Sequence, residues 1–197
     1  MFILYGGSFD PVHTGHILLA RDAKEIVGAE RVLFMPTYLA PLKEKHSASA
    51  EDRLNMLRLA LEQEEGFEVS DYEVKKGGVS YTVDTLRHLR SEGLEKPFLL
   101  LGADSALRLH LWKESLEVFR LSVILIAERE GRQREVISYM KERFPHLKEG
   151  KDYLLIKTRR VDISATEIRN RIREGKSIYC LVPDKVRSYI EDKNLYR

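Results

Sequence analysis

The sequence predicts an α/β fold with a doubly wound parallel sheet and helices on both of its faces. Short apolar runs alternate along the 197 residues with segments whose apolar residues recur at helical spacing. Two runs, FLLLGA at 98–103 and SVILIAE at 122–128, are apolar almost throughout, which is typical of parallel strands covered on both faces. Repeated strand–helix alternation therefore indicates a parallel, doubly wound sheet.

Six segments are predicted as strands, namely 2–5, 31–36, 67–74, 98–103, 122–128 and 153–157. Helical periodicity lies between or after them, at 16–28, 49–63, 82–93 and 165–175. The first and third of these helices end at Gly28 and Gly93, residues that commonly stop a helix. The second opens with Ser49 three residues before Asp52, which is the spacing of a capped N-terminus. These boundaries predict how the elements follow one another.

The bulk composition is that of one ordinary globular domain over 1–197. A net charge of +2, from 33 basic and 31 acidic residues, argues against nucleic acid and anionic membrane as partners. No apolar stretch approaches the ~20 residues that a membrane span needs. The single cysteine, Cys180, permits no internal disulfide. We therefore expect a cytoplasmic protein.

The first strand-to-helix turn, in YGGSFDPVHTGH at 5–16, has the features of a phosphate site. Gly6 and Gly7 let the backbone turn sharply and approach a ligand, and the following helix presents its N-terminus. His13 and His16 are three residues apart and so share one side of the first helical turn, with the small Gly15 between them. Two imidazole donors beside a helix N-terminus predict a cradle for a polyphosphate. The alternatives are incidental histidines in a capping turn, or a metal site that lacks a recognisable third ligand.

A second motif, ISATEIR at 163–169, offers another anion-binding device. Ser164 is a candidate N-cap, with Glu167 three residues later completing a capping box. That capping role is a sufficient structural explanation for Ser164 by itself. The same helix start adds the hydroxyl of Thr166 and the guanidinium of Arg169, which together favour an anion. Two such devices in one chain indicate a substrate with several phosphates.

These two motifs resemble the signatures of the nucleotidylyltransferase superfamily. GGSFDPVHTGH is similar to its G-[GS]-[ST]-F-D-P-x-H-x-G-H motif, and ISATEIR to its late [IV]-S-[SA]-T-x-I-R motif. Three further segments resemble the bacterial nicotinate mononucleotide adenylyltransferases, so that the resemblance runs nearly end to end. They are GGVSYTVDTL at 77–86, GADSALRLHLW at 102–112 and LVPDKVRSYIEDKNLYR at 181–197. The resemblance implies a Rossmann-like fold of the nucleotidylyltransferase type.

The resemblance implies an enzyme of NAD biosynthesis that transfers AMP from ATP to nicotinate mononucleotide. The products are nicotinate adenine dinucleotide and pyrophosphate, formed by direct in-line attack without a covalent enzyme intermediate. Mg²⁺ would arrive with ATP, and no separate metal site is implied. Two alternatives stay open: a sister transferase with another acceptor, such as nicotinamide mononucleotide or phosphopantetheine, and a non-catalytic nucleotide sensor. The sequence predicts no oligomeric state.

The resemblance also implies roles for residues of the phosphate motifs. His16 would stabilise charge developing at the α-phosphate, with His13 beside it on the phosphates. Arg169 would hold the phosphates that leave as pyrophosphate, and Lys43 would contact phosphates from the loop 37–48. The residues expected to bind ATP around them are Gly6, Gly7, Ser8, Phe9, Gly15, Gly102, Asp104, Ile163, Ser164 and Thr166.

Some of these roles have structural alternatives. Lys43 lies in a polar loop beside charged neighbours, which equally suits a solvated surface lysine. Asp104 equally suits the N-cap of a helix in ADSALRL. Asp10 and Pro11 are expected to shape the turn rather than to take part in catalysis.

A second group of residues is expected to bind the mononucleotide. The only tryptophan, Trp112, suits stacking on a cationic pyridine ring, the alternative being a core aromatic. Tyr81, Thr82 and Val83 would meet the nicotinate carboxylate through backbone N–H groups at a helix start, a position where Ser80 or Thr82 alternatively serves as a simple N-cap. Arg129 would reach a phosphate.

The sequence departs from the family pattern in two places. Leu42 stands where the family usually has a histidine, and a leucine donates no hydrogen bond. The missing function is either dispensable or performed by a neighbour such as His46. Glu130 follows Arg129 where the family more often has a basic residue or proline, which weakens the assignment of Arg129.

Overall fold

A computed structural model of the chain describes residues 1–41, 46–128 and 131–197. Its strands are β1 (Phe2–Gly7), β2 (Arg31–Pro36), β3 (Phe67–Val69), β4 (Phe98–Gly102), β5 (Val123–Glu128) and β6 (Tyr153–Lys157). They form one sheet in the order β3-β2-β1-β4-β5-β6. The order runs outward in opposite directions from β1 and β4, which is the doubly wound arrangement.

Helices separate or follow the strands. They are α1 (Thr14–Val27), α2 (Ala50–Leu61), α3 (Tyr72–Lys76), α4 (Thr82–Ser91), α5 (Ala103–Ala106), α6 (Ser115–Leu121), α7 (Gln133–Arg143), α8 (Ala165–Arg173) and α9 (Asp184–Asp192). A short 3₁₀ helix spans Leu109–Leu111. The alternation of strands with helices confirms the predicted Rossmann-like α/β fold.

The chain divides into two compact units. The first consists of Met1–Gly6, Leu19–Val32 and Tyr81–Arg160, and the second of Gly7–Leu18, Leu33–Ser80 and Val161–Arg197. The expectation of a single domain over 1–197 stays a prediction.

The core of the first unit is built on β4 and β5. Leu100, Ile124, Leu125 and Ile126 are 0% exposed, as expected for apolar strands covered on both faces. β5 pairs in parallel with both β4 and β6. Helix α4 buries Val83, Leu86 and Leu89, the stripe that the sequence predicts.

The second unit contains the motif helices α2, α8 and α9. Helix α2 buries Leu54, Leu57 and Leu61 as the sequence predicts, together with the charged Arg53. The side chain of Ser49 accepts a hydrogen bond from the backbone N–H of Asp52 at 3.0 Å, which confirms the predicted cap.

The predicted strand 67–74 is wrong in its second half, because β3 ends at Val69 and residues Tyr72–Lys76 form α3. Local hydrogen bonds explain the change. The hydroxyl of Ser70 accepts from the N–H of Tyr72 at 3.3 Å, and the carbonyl of Asp71 accepts from the N–H of Lys75 at 2.8 Å. Short polar side chains that bond to nearby backbone favour such turns over a sheet ladder.

Two alternatives proposed for helix starts are also wrong. Helix α4 has Tyr81 as its N-cap residue, and neither Ser80 nor Thr82 provides a side-chain cap. Ser80 instead accepts a hydrogen bond from the N–H of Tyr38 at 3.0 Å. Helix α5 has Gly102 as its N-cap residue, so Asp104 lies in the first turn rather than at the cap.

Both predicted glycine stops are observed, since Gly28 and Gly93 have φ values of 63° and 77°. Within the part of the chain that the structure describes, no helix is long and apolar enough to cross a membrane.

Candidate active site

The two histidines of the glycine turn form a stacked pair in the second unit. Their ring centroids lie 3.6 Å apart with an interplanar angle of 27°. The backbone N–H of His13 donates to Nδ1 of His16 at 3.2 Å. Since Nδ1 accepts, the neutral His16 ring carries its proton on Nε2 and is a hydrogen-bond donor at that atom. The turn therefore fixes both the position and the tautomer of His16.

Two glycines leave space for the rings of His13 and Phe9. A Cβ on Gly15 would lie 3.0 Å from Nδ1 of His13, and a Cβ on Gly7 would lie 3.1 Å from the ring of Phe9. Phe9 in turn meets the ring of His16 edge-on, with centroids 5.1 Å apart. Side chains at either glycine position would push against the aromatic rings of the turn. Gly6, in the first unit, is exposed, and a Cβ there would meet nothing within 4 Å.

The start of α1 has fewer open backbone donors than the sequence indicates. The N–H of His13 is bound to His16, and the N–H of His16 donates to the carbonyl of His13 at 2.9 Å. The N–H of Thr14 donates to the carbonyl of Leu181 at 2.9 Å, and its hydroxyl to the carbonyl of Cys180 at 3.1 Å. An anion at this turn would therefore depend more on imidazole donors than on the helix start.

The second phosphate motif has the predicted local structure. The Ser164 side chain accepts from the N–H of Glu167 at 3.1 Å, so the capping role is confirmed. Arg169 donates to the Thr166 hydroxyl at 3.1 Å and to the carbonyl of Asp10 at 2.7 Å. Ile163 is half-buried immediately before the cap. The second unit thus brings Arg169 to the turn that carries the histidine pair.

Four residues without a predicted site role, Ser47, Ala48, Arg53 and Tyr196, also contact the segment Ser8–Asp10 of this turn. The Asp10 carboxylate, which was expected only to shape the turn, accepts from the Tyr196 hydroxyl at 2.8 Å and from the N–H groups of Ser47 and Ala48 at 2.7 and 3.1 Å. The Arg53 guanidinium donates to the Ser8 carbonyl at 2.7 Å. An arginine at a core position of α2 was the sequence signal for this contact.

Several predicted residues fall outside the described part of the chain. Lys43 and Arg129 are among them, as are Leu42 and Glu130, so their assignments stay predictions. His46, named as a possible replacement for the missing histidine, is described. Its Nδ1 lies 3.9 Å from the Asp10 carboxylate, and its side chain is only 9% exposed. His46 is therefore buried beside the Asp10 carboxylate of the turn.

The predicted carboxylate-binding segment begins α4 in the first unit. Tyr81 precedes the helix in an extended conformation, and its carbonyl accepts the N–H groups of Asp84 and Thr85. The N–H groups of Thr82 and Val83 lie before these, where a helix offers no carbonyl partner of its own. Val83 is 0% exposed, so a ligand would meet its backbone and not its side chain.

A cation also lies at this helix start. The Lys113 ammonium sits 4.7 Å from the centre of the Tyr81 ring and 3.2 Å from both oxygens of Asp84. The Lys113 charge is thus paired with the Asp84 carboxylate, and the feature of this helix start that favours an anionic group is its backbone N–H groups.

Trp112 follows the 3₁₀ helix and is partly exposed rather than buried in the core. It borders an open hollow of about 420 Å³, whose other lining residues are Glu114, Ser115, Leu116, Glu117 and Arg120. Trp112 is therefore not fully buried in the core of the first unit, and its role in stacking stays a prediction.

Asp104 is already engaged by a residue that the sequence analysis did not single out. Arg132 forms ion pairs with Asp104 and with Glu135, and its own N–H donates to Glu128 at 3.0 Å. These ion pairs raise the pKa of Arg132. Gly102 is the last residue of β4 and the N-cap residue of α5, two positions before Asp104. A nucleotide hydroxyl on Asp104 would have to share that carboxylate with Arg132.

Among residues 1–41, 46–128 and 131–197, no three His, Cys, Asp or Glu side chains are grouped so as to hold a metal ion.

Known proteins resemble this chain along most of its length. The sequence profile of the cytidylyltransferase-like family matches residues 4–171. A protein of Aquifex aeolicus (strain VF5), named a probable nicotinate-nucleotide adenylyltransferase, is 56% identical over 168 residues, which is 85% of this chain and 100% of that protein. A protein of the same name from Herpetosiphon aurantiacus is 38% identical over 194 residues, which is 98% of this chain and 96% of that protein.

Solved structures share the fold. Plasmodium falciparum nicotinic acid mononucleotide adenylyltransferase complexed with APC matches with a TM-score of 0.76 at 18% identity, over 99% of this chain and 96% of that chain. The same enzyme complexed with NaAD matches with a TM-score of 0.75 at 20% identity, again over 99% and 96%.

The profile match over most of the chain places it in the cytidylyltransferase-like family. The two relatives, each aligned over most of both chains, narrow the assignment further. The chain belongs to the nicotinate-nucleotide adenylyltransferase family, and the prediction of an enzyme of that family is confirmed.

Proposed function

We propose that this enzyme transfers the AMP group of ATP directly to the phosphate of nicotinate mononucleotide, producing nicotinate adenine dinucleotide and pyrophosphate. The stacked pair of His13 and His16 carries the proposal, because it supplies two imidazoles held rigidly at a glycine turn. Positioning and charge stabilisation, rather than covalent chemistry, dominate catalysis of such transfers.

In the proposed step, a phosphate oxygen of nicotinate mononucleotide attacks the α-phosphorus of ATP from the side opposite pyrophosphate. A new P–O bond forms while the bond from the α-phosphorus to the α,β-bridging oxygen breaks, and that electron pair leaves on pyrophosphate. Negative charge builds up on the oxygens of the α-phosphate during this exchange. The Nε2–H of His16 donates a hydrogen bond to one of them, and His13 interacts with the neighbouring phosphate oxygens.

The leaving pyrophosphate is assigned to the second phosphate motif. Two N–H groups of the Arg169 guanidinium donate to protein oxygens. Its remaining N–H groups would bind the β- and γ-phosphates. The hydroxyls of Ser164 and Thr166 are exposed at the same helix start. Lys43 would add a positive charge from the loop 37–48, and Mg²⁺ would enter as part of the ATP substrate.

The first unit is assigned to recognition of the mononucleotide and of the adenosine. The backbone N–H groups that begin α4 would bind the nicotinate carboxylate. The Trp112 ring would stack on the pyridinium. Gly102 and Asp104 are proposed to contact the ATP nucleoside, and Arg129 a phosphate. A reaction in the cytoplasm, as the sequence predicts, completes the proposal.

The decisive measurement is pyrophosphate release from Mg²⁺-bound ATP with nicotinate mononucleotide and nicotinamide mononucleotide as parallel acceptors. Strong release with the acid and little with the amide is the expected result. Comparable rates would keep adenylyl transfer and refute acid selectivity. ATP binding without release for either acceptor would refute the proposal in favour of another acceptor or of a nucleotide sensor.

A further inference from the structure

Polar side chains from three distant segments hold the turn 8–10. Arg53, on α2, donates to the Ser8 carbonyl at 2.7 Å. Arg169, on α8, donates to the Asp10 carbonyl at 2.7 Å, and Tyr196, after α9, donates to the Asp10 carboxylate at 2.8 Å. Both ends of a three-residue turn are thus fixed from outside.

Arg53 is an unusual residue to bury completely. It is 0% exposed, and its second donor bond goes to the Tyr38 carbonyl at 3.2 Å. Burial lowers its pKa, and the nearby Asp10 carboxylate partly opposes that effect. A buried ionic group is often matched in stability by apolar residues of similar volume, so stability alone does not account for it. The two carbonyls that Arg53 joins point to a geometric role.

Tyr196 makes a buried hydrogen bond to the Asp10 carboxylate. Its side chain is buried, and its backbone has a left-handed φ of 66°. Burial and the Asp10 carboxylate raise the pKa of Tyr196, so the phenol keeps its proton and acts as a donor. The hydroxyl therefore holds one oxygen of Asp10 throughout the ordinary pH range.

Phe9 lies between the two clamped residues and links the turn to the histidine pair. Its φ is 47°, a conformation that residues other than glycine rarely adopt. Its buried ring packs edge-on against His16, with centroids 5.1 Å apart and an interplanar angle of 73°. Clamping the backbone on both sides keeps Phe9 in this strained conformation, and the Phe9 ring then limits where His16 can lie.

The same carboxylate reaches a second segment. Asp10 accepts from the N–H groups of Ser47 and Ala48 at 2.7 and 3.1 Å, just before α2 begins. The end of the loop 37–48 is therefore fixed to the same turn that carries His13 and His16.

We infer that Tyr196 and Arg53 are positioning residues for adenylyl transfer, which act through the turn 8–10 and the ring of Phe9 to place His16. This inference rests on the proposed function. Neither residue is proposed to contact the reacting atoms. Their contribution is the placement of a donor that must meet the α-phosphate within a fraction of an ångström.

The first test is Tyr196→Phe, which removes one hydroxyl, with Tyr189→Phe as the matched control. Tyr189 also donates to a carboxylate of the same unit, Asp52 at 2.9 Å, but does not touch the turn. At a temperature where both variants are fully folded, we expect kcat to fall about tenfold in Tyr196→Phe only, with KM for nicotinate mononucleotide unchanged. Equal kcat values in the two variants would overturn the inference.

A double-mutant cycle tests the route through His16. His16→Asn keeps an acceptor near the position of Nδ1 but removes the Nε2–H donor. In that background, Tyr196→Phe is expected to cost less than about twofold in kcat, because the group it positions is gone. A further tenfold loss would show that Tyr196 acts independently of His16 and would refute the proposed route.

Arg53→Lys adds a second variant that conserves charge. One ammonium replaces a fork that bonds two carbonyls, so we expect a loss of kcat similar to that in Tyr196→Phe. The control is Arg58→Lys on the same helix, where an exposed arginine pairs with Asp71 at 3.0 Å. If Arg53→Lys does not fold, Tyr196→Phe and the cycle still decide the inference.

The outcomes separate this inference from the function on which it rests. A wild-type enzyme that releases no pyrophosphate with nicotinate mononucleotide would refute the proposed function and the positioning role with it. An active wild type whose Tyr196→Phe and Arg53→Lys variants match their controls would refute the positioning role alone.

Discussion

The backbone N–H of His13 and Nδ1 of His16 are joined by a hydrogen bond of 3.2 Å, and the two rings stack with centroids 3.6 Å apart. One contact thus serves the local structure and the tautomer of the proposed catalytic ring together. A substitution of His16 therefore removes both the acceptor for the N–H of His13 and the Nε2–H donor, unless the new side chain retains the acceptor.

Two substitutions of His16 separate these roles. His16→Asn retains an acceptor for the N–H of His13, whereas His16→Ala retains none. We expect both variants to lose about 100-fold in kcat, since both lack the Nε2–H donor. Only His16→Ala should also lose about 1 kcal/mol of stability, because the backbone N–H of His13 at the helix start then has no side-chain acceptor. Steady-state pyrophosphate release and denaturant unfolding measure the two effects.

The exposed His146 provides the control for this pair. His146→Ala should leave kcat and stability unchanged. A kcat near the wild-type value in His16→Asn would remove His16 from the mechanism.

Selectivity for the acid over the amide is tested by Thr82→Pro. Thr82 is the first residue of α4, where proline fits the helix, and Tyr81 before it has the extended backbone that a following proline requires. The substitution removes one backbone N–H that we assign to the nicotinate carboxylate. We expect the ratio of kcat/KM for nicotinate to nicotinamide mononucleotide to fall about tenfold, with folding unaffected.

Ala50→Pro is the matched control, because Ala50 begins α2 after Ser49, which also has extended backbone. Its selectivity ratio should equal that of the wild type. An unchanged ratio in Thr82→Pro would place the carboxylate elsewhere.

Trp112 is expected to stack on the mononucleotide. Trp112→Ala should raise KM for nicotinate mononucleotide about tenfold, since it removes stacking and cation–π attraction, and should leave KM for ATP within about twofold. Leu111→Ala, a neighbour that is 51% exposed, is the control and should change neither constant. Equal effects of Trp112→Ala on both substrates would indicate a structural role.

The stability of the enzyme should depend on Tyr196 at alkaline pH. Its pKa is raised above the ordinary value of 10.0, chiefly by burial and then by the Asp10 carboxylate. The folded state therefore keeps a proton that the unfolded state releases, so this contribution is complete below pH 10 and declines as the pH rises further. Comparing the wild type with Tyr196→Phe cancels the titration of the other tyrosines.

We expect Tyr196→Phe to be about 1–3 kcal/mol less stable than the wild type at pH 8. Above pH 10 the difference should shrink by about 1.4 kcal/mol per pH unit. Denaturant unfolding from pH 8 to pH 11 measures this dependence. A difference that stays constant over that range would contradict an ionisation-linked contact with Asp10.

The sequence by itself determined the alternation of strands and helices, because hydrophobic periodicity and capping residues are local properties. The predicted caps at Ser49 and Ser164 depend on residues three positions apart, and both are observed. The glycine turn with His13 and His16 is likewise one continuous segment. Prediction failed at residues 70–74, where apolar alternation is compatible with a strand but local hydrogen bonds favour a turn and the start of α3.

Only the tertiary structure decided what surrounds the turn. Arg53 lies 45 residues from Ser8 along the chain and Tyr196 lies 186 residues from Asp10, and no local pattern links such positions. In the folded chain, the backbone N–H of Thr14 at the start of α1 donates to the carbonyl of Leu181, which is also distant in sequence. Local interactions thus specify the elements, whereas buried polar groups such as the Arg53 guanidinium are paired with segments that only the fold brings near.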